Sequence, residues 1–132
     1  MNRPSHSDSN PVGTSVAEAV AKRLETGTTL AYGHRDYCGA GLRFVDGEYI
    51  YGEVSDGMLP STKELQEWVQ VPAAMERIVF SSRTEFVAWL AAQTDASLND
   101  SELRDPCLVG NQRLSKRRLL AFAHGAPVPH TA

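Results

Sequence analysis

The sequence predicts an α+β domain, a small antiparallel β-meander sheet with helices packed on one face. Three observations predict it. Two strand-like runs flank Asp46-Gly47, a dipeptide suited to a two-residue hairpin because both turn positions need positive φ. The strand signals follow one another without the regular helical crossovers that parallel pairing requires. Apolar residues at helical spacing bracket these strands on both sides, which supplies a second layer for the sheet to bury against. A chain of 132 residues, 42% hydrophobic and 22% charged, suits one domain with one core.

Residues 1 to 13 are polar, interrupted by Pro4 and Pro11, and are expected to form a flexible arm. Ser15 and Glu18 have the spacing of a capping box and predict the start of a helix. Val16, Val20, Ala21 and Leu24 fall on one face of that helix, Glu18 and Lys22 form an i,i+4 pair, and Gly27 supplies the stop. Thr28 to Tyr32 reads as a strand, followed by turn-rich sequence from Gly33 to Gly39. Across the Asp46-Gly47 turn the register places Phe44 opposite Tyr49 and Leu42 opposite Tyr51 on one face, with Arg43 and Ile50 on the other.

Ser61 and Glu64 predict a second capping box and a short helix over 62–69, with Pro72 beyond its end. Arg77 to Phe80 is a short strand, and Ser82 with Glu85 opens a third helix running to about Gln93 with Phe86, Trp89 and Leu90 inward. Residues 94 to 112 carry turn signals and are expected to be irregular. Ser115 opens a last helix containing Leu119, Leu120 and Ala123, and Gly125 stops it. The domain is therefore expected to occupy residues 14–125, with 126–132 as a flexible tail.

The formal charge of −3 conceals an asymmetry. Residues 46 to 105 hold twelve acidic and four basic side chains, a charge of −8, so the remaining residues sum to +5. A segment this acidic argues against nucleic acid as a partner, since phosphate binding needs a basic surface. It suits a basic protein partner, and it equally suits a solvated acidic surface. The basic cluster Arg113, Lys116, Arg117 and Arg118 opens the last helix, where the dipole disfavours positive charge, so pairing with acidic groups elsewhere in the chain is expected. No run approaches the ~20 apolar residues that span a bilayer, and none resembles a secretory signal, so the expected location is the cytoplasm.

Catalytic constellations are sparse. His34-Arg35-Asp36-Tyr37-Cys38 offers an imidazole, a carboxylate and a thiol within five positions, which makes a cysteine-dependent hydrolase or transferase using Cys38 and His34 the alternative reading. A nucleophilic thiol needs an activating field, however, and a strand rather than a helix N-terminus follows Cys38, so a packed structural cysteine is the simpler expectation. Cys38 and Cys107 form neither a CxxC pair nor a Cys/His cluster, so no zinc site and no cofactor is expected, and in a reducing compartment both are free thiols. Glu48 and Glu53 point to opposite faces of their strand and make a poor acid/base pair.

Four stretches resemble the conserved blocks of small bacterial immunity proteins encoded beside polymorphic toxins, including those of contact-dependent growth inhibition. They are Gly39 to Phe44, Asp46 to Val54, Phe86 to Asp95 and Gly110 to Leu114, within a similarity spanning roughly residues 28 to 124. The resemblance implies a cytoplasmic protein that is not an enzyme and that binds a cognate toxin C-terminal domain, often a nuclease, as a heterodimer. The blocks transfer no binding residue. Aromatic and acidic side chains beside one another suit an interface, and on that ground Glu53, Asp56, Glu64, Glu67 and Trp68 are the expected toxin contacts. Neither nucleic acid nor membrane is an expected partner.

Overall fold

A computed structural model describes residues 10–30, 39–54, 59–67, 77–99 and 114–126. Its elements are α1 (Thr14–Glu25), β1 (Gly39–Val45), β2 (Glu48–Val54), α2 (Thr62–Glu67), β3 (Arg77–Phe80), α3 (Arg83–Ala91), α4 (Asp95–Asn99) and α5 (Lys116–Ala123). Among the described residues the sheet is a three-stranded antiparallel meander in the order β1-β2-β3, the α+β architecture the sequence predicts.

The hairpin follows from its turn. Asp46 adopts φ 54° and Gly47 φ 78°, the left-handed pair that matches the twist of two antiparallel strands. The register is the expected one: Phe44 opposes Tyr49, Arg43 opposes Ile50 and Leu42 opposes Tyr51. β3 continues it, with Phe80 opposite Tyr49 and Val79 opposite Ile50. Directly paired residues share a face. One face therefore carries Leu42, Phe44, Tyr49, Tyr51 and Phe80, and the other carries Arg43, Glu48, Ile50 and Val79.

The aromatic face is the core face. Phe86 of α3 stacks on Tyr49 with ring centroids 5.0 Å apart and meets Phe80 edge-on at 5.7 Å. Trp89 lies 5.0 Å from Tyr51 and 5.2 Å from Phe80, so one helix turn bridges β2 and β3. The inward stripe of α1 (Ala17, Val20, Ala21 and Leu24) is buried, its small residues letting α1 pack closely beside α3. α5 packs against α1, burying Leu119 and Phe122, and the Arg23 guanidinium lies 5.9 Å from the centre of the Phe122 ring. Fully burying side chains of this size contributes roughly 1.5–3 kcal/mol each, so this face dominates the stability.

The structure corrects several local expectations. The strand expected over 28–32 is, within the described residues, a single antiparallel bridge in which Leu30 and Leu42 exchange both N–H···O bonds at 2.9 Å; Ala31 and Tyr32 lie outside the described residues. α1 is not capped by Ser15. Its N-cap is Gly13 at φ 90°, with no side-chain cap, and Ser15 lies inside the first turn. The reason is tertiary. The Val12 amide donates to Gln93 O at 2.7 Å, the Gly13 amide donates to Ala91 O at 3.0 Å, and Val12 is 2% exposed. Docking residues 12–13 onto the end of α3 forces a left-handed N-cap that only glycine adopts without strain.

α4 lies where irregular chain was expected. A reciprocal pair opens it: the Thr94 amide donates to Ser97 Oγ at 2.7 Å and the Ser97 amide to Thr94 Oγ1 at 3.0 Å, while Leu98 is buried. Glu18 does not pair with Lys22. Its carboxylate lies 3.7 Å from Arg83 Nη2, across the α1–α3 interface. The start of α5 is capped through its backbone, where Asp95 Oδ1 accepts the Lys116 amide at 2.7 Å and Ser115 Oγ accepts the Arg118 amide at 3.2 Å, while the Lys116 ammonium donates to the Pro11 carbonyl at 3.1 Å.

Candidate functional site

Two of the expected contact residues, Glu64 and Glu67, belong to α2, and the sheet places that helix; Glu53 pairs with Ala40 at a register position of the aromatic face instead. Ser61 and Glu64 form a full capping box: the Glu64 amide donates to Ser61 Oγ at 3.0 Å, and the Ser61 amide donates to Glu64 Oε1 at 2.9 Å. Arg43 reaches the same segment from β1. Its Nη1 donates to the Leu59 carbonyl and to Glu64 Oε1, each at 2.8 Å. Arg43 belongs to the face of the sheet that the aromatic core leaves open, so this one guanidinium fixes residues 59–64 on that second face. Leu59 and Ser61 are buried there, as is Ile50, the cross-strand partner of Arg43.

The electrostatics follow. Glu64 Oε1 accepts from a cation and from a backbone amide, and these bonds, led by that from Arg43, hold the carboxyl below its usual range. The pair is partly exposed on both sides, which screens it, so its net worth is about 1 kcal/mol. Glu67 stands one turn further on and is exposed. Of the five expected contact residues, the structure thus assigns Glu64 to the internal anchor of α2 and Glu67 to its outer surface. Glu53 belongs to β2, but its side chain, like Asp56 and Trp68, lies outside the described residues. His34 and Cys38 of the alternative reading also lie outside them.

Two residues that sequence reasoning did not single out as contacts share the sheet face with Arg43. Val79 is 37% exposed and shares the second face with Arg43 and Ile50. Glu48 lies on the same face, half-buried at the start of β2. The register that placed Arg43 and Ile50 together was legible; the exposure of Val79 depends on what surrounds β3.

A second polar cluster sits on the core side. The Tyr49 hydroxyl donates to Glu25 Oε2, and Arg83 Nε lies 3.5 Å from the same carboxylate oxygen. Glu25 is the last residue of α1, where the helix dipole disfavours a negative charge. Arg83, the first residue of α3, offsets that, and three elements converge on one carboxylate. Burial, reinforced by the hydrogen bond to Glu25, pushes the Tyr49 hydroxyl up to about 12. With its acidic proton held this firmly, the cluster clamps α1, α3 and β2 together. Beside it an open groove of about 290 Å³ runs between α1 and α3, lined by Thr14, Glu18, Arg83, Thr84, Val87 and Ala88.

Among the described residues no group of three or more His, Cys, Asp and Glu side chains has the arrangement to hold a metal ion, and no helix is long and apolar enough to cross a membrane. No protein-family model, no curated protein and no solved structure matches the chain.

Proposed function

We propose that this chain is an immunity protein, one that neutralises a cognate toxin C-terminal domain by stoichiometric binding in the cytoplasm, the toxin being a nuclease delivered by contact-dependent growth inhibition. The observation that carries the reading is the charge of −8 concentrated in residues 46 to 105. A nuclease must present a basic surface to its substrate, and an acidic protein seated on that surface excludes nucleic acid without making or breaking a bond. The resemblance of the four sequence blocks supports the same conclusion.

The test is co-expression with the toxin domain encoded by the gene immediately upstream, followed by size-exclusion chromatography and a nuclease assay. A 1:1 complex that persists at micromolar concentration, with nuclease activity abolished at equimolar ratio, is the expected result. Two separate peaks, with the nuclease fully active in the mixture, overturn the proposal.

A further inference from the structure

Resting on that reading, we propose that the toxin docks on the second face of the sheet, built from Glu48, Val79 and the outer side of α2 with Glu67, and that it brings a cationic surface there. Among the described residues the two layers of the fold differ in charge. Around the second face Arg43 and Glu64 neutralise one another, which leaves Asp46 at the hairpin tip, Glu48 and Glu67 against Lys63 and Arg77, the latter at the register position opposite Gly52 on the same face. The opposite layer has the reverse balance. α1, α3, α4 and α5 together carry six basic and four acidic residues, Lys116, Arg117 and Arg118 among them.

A cationic partner approaching this field is steered to the second face and away from the helices. That face also offers what an interface core needs, since Val79 supplies an exposed apolar side chain bordered by charge. Arg43 is the positioning residue. By fixing α2 through Leu59 and Glu64 it sets where Glu67 stands, and Glu64 serves the surface as its support. On the aromatic face Ile78, opposite Tyr51, is exposed as well, but Tyr49, Tyr51 and Phe86 of that layer are consumed in the core and no unpaired carboxylate is described beside it.

The test is calorimetric titration of the full chain with the toxin domain encoded immediately upstream. Reversing two charges on the second face (Glu48→Lys with Glu67→Lys) is expected to weaken binding by about tenfold or more, and Val79→Asp by a similar factor. Glu85→Lys, an exposed reversal of the same kind on α3, is expected to leave affinity within about twofold. The neutral pair Glu48→Gln with Glu67→Gln, with melting temperature measured alongside, gives the same ordering at smaller amplitude should the reversed protein fail to fold. Undiminished affinity in both double variants, or a loss in Glu85→Lys alone, overturns the inference while leaving the function intact. Failure of the wild-type chain to bind overturns the function and the inference together.

Discussion

Arg43 Nη1 lies 2.8 Å from Glu64 Oε1 and joins β1 to α2 across the face of the sheet that the aromatic core leaves open. Replacing Arg43 with Met keeps the length of the side chain and removes both of its bonds. The expected cost is about 1–2 kcal/mol, read from urea denaturation. Amide exchange should accelerate in residues 62–67 and stay unchanged in α3, because the loss is local to the segment that Arg43 holds. Equal acceleration in both helices would show that α2 is held by other means.

The same pair sets a dependence on acid. Glu64 has its carboxyl held low in the folded chain, so it binds a proton more readily when unfolded. Its stabilising contribution is fully present above the unfolded value near ~4.3 and is lost as pH falls through the lower folded value. Glu64→Gln should flatten the decline of stability below about pH 4.5 relative to the wild type. Parallel curves for the two proteins would contradict the assignment.

Tyr49 acts with the opposite sign. Its hydroxyl is raised from 10.0 to about 12, so between these values the unfolded chain has ionised and the folded one has not. Stability is unaffected well below pH 10 and should fall as pH rises toward and past 12, by roughly 2.7 kcal/mol at most from this group. Tyr49→Phe should be less stable than the wild type at pH 8, having lost the bond to Glu25, and should show a shallower alkaline decline. Denaturant midpoints at a series of alkaline pH values make the comparison.

The docked segment before α1 gives a further prediction. Removing residues 1–13 deletes the buried Val12 side chain and two backbone hydrogen bonds to the end of α3. A loss of about 2–4 kcal/mol is expected in the thermal or urea transition. Gly13→Ala should cost about 1 kcal/mol by itself, since φ 90° strains any residue with a Cβ. A truncated chain as stable as the full one would show that the docking contributes nothing.

What the sequence revealed of this fold was whatever short-range chemistry controls. Asp46-Gly47 specified the hairpin and its register because the turn needs two left-handed residues and the strands on either side alternate. Ser61 with Glu64 and Ser82 with Glu85 marked two helix starts, and in both the serine hydroxyl accepts the expected amide. Ser15 with Glu18 had the same spacing and failed, because a long-range contact of Val12 and Gly13 with Ala91 and Gln93 moved the cap two residues back. α4 did have a local signal, the hydroxyls of Thr94 and Ser97 three apart, but the turn residues around it masked a helix of one turn.

The candidate surface was legible only in part. Acidic composition pointed to the region of α2, while the division of labour between Glu64 and Glu67 depends on Arg43, twenty-one residues from Glu64 in sequence. The register of the hairpin put Arg43 and Ile50 on one side, but the pairing that sets Val79 beside them, and its exposure, did not follow from the sequence. Pairings of this range are set by the tertiary fold and leave no local pattern to read.

The central claim is that charge on one side of this molecule recruits a cationic partner. It is tested most directly by the rate at which the chain associates with the toxin domain proposed as its partner, followed by stopped-flow fluorescence as salt is raised. The account predicts an association rate that falls by about tenfold or more between roughly 20 mM and 500 mM salt, with dissociation changing far less. An association rate that holds steady across that range would contradict it, since a contact formed without electrostatic steering has no use for the asymmetry of this chain.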